Sequence, residues 1–216
     1  MDNIASLTLS DPKYPKLLKE IPDPPKILYV RGHGTKINLD KTIAVVGTRA
    51  MTPYGKKITK HLVTDLVIKG YTIVSGMAIG VDSIAHQSAI DKGGKTIAVL
   101  GCGVDIIFPP SNARLYWEIV KGHGVVVSEI PPGTRTSKEQ FVTRNRIISG
   151  LSLGVVVIEG SDHSGALITA RYAAEQGREV FAVPGPITSK MSQATNILLK
   201  NGAKLVESAD DIIEEL

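Results

Sequence analysis

The amino-acid sequence predicts an α/β fold: an extended Rossmann-like, doubly wound, mostly parallel sheet with an N-terminal arm. Two observations predict it. From Lys41 onward six short runs recur, "TIAVVG", "YTIVSG", "KTIAVLG", "GVVVSEI", "GVVVIEG" and "EVFAVPG", nearly all apolar and rich in valine and isoleucine. Strands covered on both faces have this composition, and parallel sheets are covered on both faces. Between the runs lie stretches of helical character, such as "YGKKITKHLVTDLVIKG", "DSIAHQSAIDKGG" and "GALITARYAAEQG". Strict strand–helix alternation implies parallel strands joined by right-handed crossovers.

Taken in order, residues 1–40 differ from the rest. Pro12, Pro15, Pro22, Pro24 and Pro25 fall there, and "IPDPPKILYVRG" reads as extended chain. This part is expected to be an extended arm packing on a main domain of residues 41–216. After the sixth run, "ATNILLKNGAKLVES" adds one more helix and an edge strand. The sequence shows no internal repeat or low-complexity segment.

Composition narrows the class. The chain has 216 residues, 43% of them hydrophobic, which suffices for a packed core. No run approaches the ~18 consecutive apolar residues of a membrane span, and "MDNIASLTLS" lacks the basic and apolar regions of a signal peptide. With a single cysteine, Cys102, no internal disulfide is possible. These features point to a cytoplasmic protein with no membrane association. The net charge of +4 says little alone, but acids gather in "ESADDIIEEL", leaving the remainder more basic than the total.

Ligands of open α/β sheets sit at the carboxyl ends of the strands. In order, those ends read Gly47-Thr48-Arg49, then Ser75-Gly76, Gly101-Cys102-Gly103, Ser128-Glu129, Glu159-Gly160 and Pro184-Gly185. Turns between strands and helices need glycine in any case, yet so many together predict an edge where an anion approaches backbone N–H groups. "HSGALITA" strengthens this: Ser164 is a candidate N-cap, and Gly165 and Ala166 leave the first turn bare enough for a phosphate. An ordinary capped helix would look the same. "FPPSN" reads as a turn and cap.

Familiar nucleotide motifs are absent. Gly101-x-Gly103 has Ile106 where a dinucleotide fingerprint needs glycine, and "GKT" at 94–96 precedes a strand instead of opening a helix. His33, His61, His86, His123 and His163 are scattered without ligand spacing, so neither metal nor cofactor is expected. Cys102 fits a small residue in a turn better than a nucleophile. Asp82, Asp105, Glu129 and Glu159 sit near the ligand edge, where a pair could serve as acid and base, or could cap helices or tether arginines.

"TRNRIISGLS" places two arginines beside an apolar stripe. On a helix Arg144 shares that stripe with Ile147, Ile148 and Leu151, while Arg146 shares a side with Ser149 and Gly150. Arg144, with Asn145, is therefore expected at the ligand edge with its guanidinium free for phosphate. Arg146 is expected to reach the ligand from the rim or to hold a carboxylate such as Glu129 or Glu159. On that reading Arg144→Ala costs more affinity and Arg146→Ala more stability.

Taken in succession, "YPKLLKEIPDPPKILYVRG", "VVGTR", "SGMAIGVDSIAHQSA", "AVLGCGVDIIFPPSN", "VVSEIPPGT", "FVTRNRIISGLS", "SGALITARYAAEQGREVFAVPG" and "TNILLKNGA" resemble the DprA/Smf family of bacterial DNA-processing proteins over nearly the whole chain. Val142 and Ala194 depart from the family's common proline and glycine. Many members also carry a small helical domain before, and a winged helix after, the matched region; 216 residues leave room for neither. The resemblance implies a protein that is not an enzyme. It would bind single-stranded DNA, protect it during natural transformation, help load the RecA recombinase, and act as a homodimer. Carried onto this chain, the DNA site comprises Gly47, Arg49, Ser75, Gly76, Gly101, Gly103, Lys138, Phe141, Arg144, Asn145, Arg146, Ser164 and Gly165. Phe141 would stack a base and the cations would take phosphates. The alternatives on this fold are a nucleoside-monophosphate phosphoribohydrolase, whose "PGG–GT" loop is missing from "EGSDHSGALITA", and a sensor of a small nucleotide.

Overall fold

The computed structural model describes residues 4–32, 37–135 and 137–216; His33 lies outside them. The six apolar runs form β3 (Thr42–Val46), β4 (Thr72–Ser75), β5 (Thr96–Val99), β6 (Gly124–Ser128), β7 (Gly154–Val157) and β8 (Glu179–Ala182). They are mutually parallel in the order β6-β5-β4-β3-β7-β8, and a short strand β9 (Lys204–Leu205) adds to β8 as the edge. The chain thus steps outward from β3 to β6, then crosses back to β7 on the other side of β3. That reversal places a crevice at the carboxyl ends of β3 and β7.

Both faces are covered, as the all-apolar strands require. One face packs Ala44, Val46, Val74, Val99, Val155 and Val157 against α6 (Asn145–Gly150) and α7 (Gly165–Glu175). The other packs Ile43, Val45, Ile73 and Val156 against α2 (Pro53–Ile68), α3 (Val81–Asp91) and α9 (Ala209–Ile213), and Ala98 and Val126 against α4 (Ala113–Glu118). Helix starts follow local chemistry. At α2 the Thr52 hydroxyl accepts from Gly55 N at 3.1 Å and Pro53 opens the helix. Ser137 and Gln140 form a reciprocal capping box before α5 (Lys138–Thr143). Helix α8 (Gln193–Lys200) precedes the edge strand.

The N-terminal forty residues correct the expectation of an arm that merely packs on the domain. They supply β1 (Ile4–Thr8), a short helix α1 (Lys16–Lys19) and β2 (Ile27–Gly32). Strand β2 pairs antiparallel with β6, Val30 opposite Val127, and β1 pairs antiparallel with β2. Tyr14, Leu18, Ile21 and Leu28 enter the same core as α6 and α7. The reason is the otherwise open edge of β6, whose N–H and C=O groups need partners. "ILYVRG" is extended as read, and it is a strand of the main sheet. Among the described residues no helix is long and apolar enough to cross a membrane.

Candidate nucleic-acid interface

The crossover from β6 to β7 carries α5 and α6 across the strand ends, where they wall a cleft of about 600 Å³. Gly47 and Arg49 enter it from the turn after β3, Lys138, Phe141, Arg144 and Asn145 from α5–α6, and Ser164 and Gly165 from the start of α7. A smaller cavity of about 140 Å³ adjoins it. Gly76 and Gly101 line that one, along with Arg49, Phe141 and Arg144.

Three expected site residues lie outside both. Ser75 is buried and its hydroxyl donates to Val45 O at 2.7 Å, bracing β4 on β3. Gly103 gives its N–H to Thr134 O at 2.9 Å. A Cβ there would sit 2.7 Å from both Asp105 Oδ1 and Pro131 O, so this glycine serves loop packing. Arg146 points to the far side of α6, where Nη1 and Nη2 meet Glu129 Oε1 and Oε2 at 3.1 and 2.6 Å and Nε meets Asp23 Oδ2 at 3.1 Å. Its expected carboxylate partner is therefore Glu129. Asp23, from the proline-rich segment, is a second partner that no local pattern indicated.

Most of the glycines answer to their own chain. A Cβ on Gly47 would meet Val81 Cγ2 at 2.7 Å, one on Gly76 would collide with the Arg144 guanidinium, and one on Gly101 would crowd Gln140 O at 3.2 Å. At these strand ends the missing Cβ lets α3, Arg144 and α5 close onto the backbone. Gly165 is the exception: it is exposed with nothing within 4 Å of a Cβ. Ser164 Oγ caps α7 by accepting from Ala166 N at 3.3 Å. An open, capped helix start thus faces the cleft.

Arg144 corrects the expectation of a free guanidinium. It joins α5 to α6 with helical backbone angles, and its N–H reaches Gln140 O at 3.0 Å. The phase read from the sequence holds, since Ile147, Ile148 and Leu151 all face the core. But a side chain on that stripe turns inward too. Arg144 is only 7% exposed; Nη1 donates to Val99 O, the Asp82 carboxylate lies beside it, and Nε has no partner among the described residues. Burial pushes the Asp82 carboxyl above its ordinary range, with the Arg144 charge pulling the other way. The guanidinium remains charged. Asn145 is buried beside it, its Nδ2 at 3.5 Å from Gly165 O.

The other carboxylates are likewise engaged. Glu159 accepts from Thr52 N at 2.9 Å and from the Thr52 hydroxyl at 2.6 Å, tying β7 to the start of α2. Asp105 accepts from Gly133 N through both oxygens. Cys102 is buried with Sγ 3.5 Å from Ile106 O, and burial pushes its thiol up to about 11, so it stays protonated at neutral pH. Among the described residues no group of His, Cys, Asp and Glu could hold a metal ion.

His86, on α3, is fully buried with Nδ1 2.6 Å from Thr96 Oγ1. The Thr96 hydroxyl donates to Ile73 O at 2.7 Å, so Nδ1 carries the imidazole proton. Burial, then the Arg144 charge, lowers its pKa to about 3. A depressed histidine stabilises the fold fully above the unfolded pKa of ~6.5 and loses that contribution as pH falls toward the folded value. Stability should therefore decline on acidification with a His86 contribution of up to ~1.4 kcal/mol per pH unit. Denaturant titrations at several pH values should show this slope reduced in His86→Asn; equal slopes would refute it.

Two cations are left for an external anion. Arg49 is exposed, and its guanidinium carbon stands 5.9 Å from the Phe141 ring centroid. Among the described residues no carboxylate pairs with it. Lys138 is exposed and lines the same cleft. Sequence reasoning missed Phe108, whose ring packs on Phe141 at 5.3 Å and 43°, and Ile79, which is 45% exposed at the mouth of the smaller cavity. "FPPSN" does form a turn, at Pro110–Asn112, but it also presents this second aromatic ring. Nothing local signals that Phe108 meets Phe141.

A family model for DNA recombination-mediator protein A matches residues 5–216. The chain is 45% identical to the DNA processing protein DprA of Bacillus subtilis (strain 168) over 213 residues, covering 99% of this chain and 71% of that protein. It is 43% identical to protein Smf of Escherichia coli (strain K12), covering 94% of this chain and 54% of the other, about half its length. Among solved structures, DprA of Streptococcus pneumoniae superposes with a TM-score of 0.91 at 42% identity, covering 99% of this chain and 75% of that one. DprA of Helicobacter pylori gives 0.87 at 33%, covering 100% and 97%; that structure concerns its single-stranded DNA binding mode. A molybdenum cofactor binding protein from Rippkaea orientalis, at 18% identity and TM-score 0.57, shares the fold alone.

Proposed function

The chain belongs to the DprA/Smf family of DNA-processing proteins, and from that premise we propose that its cleft binds single-stranded DNA. The observation that carries this reading is Arg49: an exposed cation, unpaired among the described residues, beside an aromatic pair at the mouth of the cleft. Phosphates go to Arg49, Lys138 and the open start of α7; a base stacks on Phe141, supported from behind by Phe108. Catalysis is not part of the proposal. Asp82, Asp105, Glu129 and Glu159 are each held by partners within the chain, so none stands ready as an acid–base pair.

In the cell the protein would coat incoming single strands in the cytoplasm and help RecA assemble on them. Oligo(dT) titrations across a salt series test the binding. With three to five basic contacts per protomer, the slope of log K against log salt should lie at about −2 to −3.5. A flat response overturns the cleft reading, and no gain in RecA assembly on strands held by single-strand-binding protein overturns the loading role.

We propose further that the protein works as a homodimer. The free edge strand β9 exposes Leu205 (44%), and α8 beside it exposes Ile197, an apolar edge that natural proteins normally cover. Sedimentation at micromolar concentration should show twice the 23.1 kDa chain mass, reverting to the monomer in Leu205→Arg. A 23.1 kDa species alone would rule the dimer out.

A further inference from the structure

Met77 is the one non-glycine residue among those described whose backbone lies in the left-handed region, at φ 61°. That conformation is costly for a residue with a Cβ, so its surroundings must hold it there. Two contacts do. The Met77 side chain is buried with Leu100, Cys102 and Leu115, and the Met77 carbonyl accepts a hydrogen bond from Asn112 Nδ2 at 2.8 Å. Asn112 is not using its side chain to cap the helix that follows it.

The turn at Met77 sets the shape of the smaller cavity. It carries the chain from Gly76, pressed against Arg144, to Ala78, whose N–H reaches Asp82 Oδ2 at 3.3 Å, and leaves Ile79 exposed at the rim. Gly76, Met77, Ala78 and Ile79 form one wall; Phe108 and Pro109, just before Asn112, form another. The Asn112–Met77 bond is a polar tie between the two walls. Without it the Met77 peptide loses a restraint against relaxing to a right-handed conformation, which would displace its carbonyl and the Ala78 N–H together.

We propose that Asn112 is a positioning residue for the DNA site. By bonding the Met77 carbonyl it keeps the 76–79 wall and the Phe108 wall at the spacing that lets a strand settle against Phe141 and Arg49, without itself contacting DNA. The inference rests on the reading of the cleft as a single-strand site.

A double-mutant cycle tests it, because glycine adopts positive φ without support. Oligo(dT) affinity and melting temperature are measured for the wild type, Asn112→Ala, Met77→Gly and the double variant. Relief of a strain of this kind corresponds to about a tenfold loss of affinity in Asn112→Ala, with melting little changed. In the Met77→Gly background the same substitution should cost less than about twofold. An equal loss in both backgrounds, no loss in either, or a loss matched by early melting overturns the proposal. If Met77→Gly does not fold, unchanged affinity in Asn112→Ala still overturns it. Failure of the wild type to bind oligo(dT) would remove the DNA reading itself, whereas equal binding by wild type and Asn112→Ala removes only the role of Asn112.

Discussion

Arg49→Ala should weaken oligo(dT) binding by roughly ten- to a hundredfold and leave the melting temperature nearly unchanged. A hydrogen bond to a charged group contributes ~1.5–3 kcal/mol, and each ~1.4 kcal/mol is tenfold in affinity. The salt slope should fall by about 0.7, the share of one phosphate contact on a single strand. Loss of affinity should be similar for every sequence, because a phosphate contact carries no base information. Stability is spared because the side chain is exposed and bears no ion pair among the described residues; its contact with Phe141 at 5.9 Å is worth about 0.5–1 kcal/mol at most. Arg49→Lys should fall between, keeping the charge but losing the planar fork. Paired titration and melting decide the matter: a protein that melts early while holding DNA as tightly as the wild type makes Arg49 a structural residue.

Arg144→Ala should be the more damaging of the two helix-junction variants in stability, reversing the order that the sequence suggests. Removing the guanidinium strands Asp82, itself only 7% exposed, as a buried carboxylate without its counter-charge. The buried hydrogen bond from Arg144 to Val99 O is lost as well, and a bond to a charged group contributes ~1.5–3 kcal/mol. For a domain of this size that corresponds to a melting temperature lower by on the order of 10 °C. Arg146→Ala strands partners that water can reach, since the side chains of Glu129 and Asp23 are 22% and 80% exposed. Its cost should be smaller. Adding Asp82→Asn to Arg144→Ala should recover part of the loss by removing the orphaned charge. Melting of the two single variants in the opposite order would show that the buried Arg144 guanidinium contributes little. An affinity loss in Arg144→Ala beyond what its folded fraction explains would return Arg144 to the DNA.

What the sequence by itself determined about this protein is what periodicity and composition encode: six strands buried in the sheet, the alternation that makes them parallel, and the phase of "RNRIISGL". These properties depend on neighbours along the chain, because a strand's faces alternate every two residues and a helix's stripe returns every three or four. The family resemblance was legible for the same reason, as motifs in order. Only the tertiary structure decided the rest. "ILYVRG" became a sheet strand because β6 had an unpaired edge, which no residue of the segment announces. Arg144 turned inward because Val99 O and Asp82 stand beyond the stripe it shares; phase says which face a side chain takes, not what waits there. The glycines at the strand ends proved to admit α3, Arg144 and α5, and Phe108 packed on Phe141. Each of these depends on contacts between residues distant in sequence, set by how the layers close on one another, and a local pattern carries no record of its distant partner.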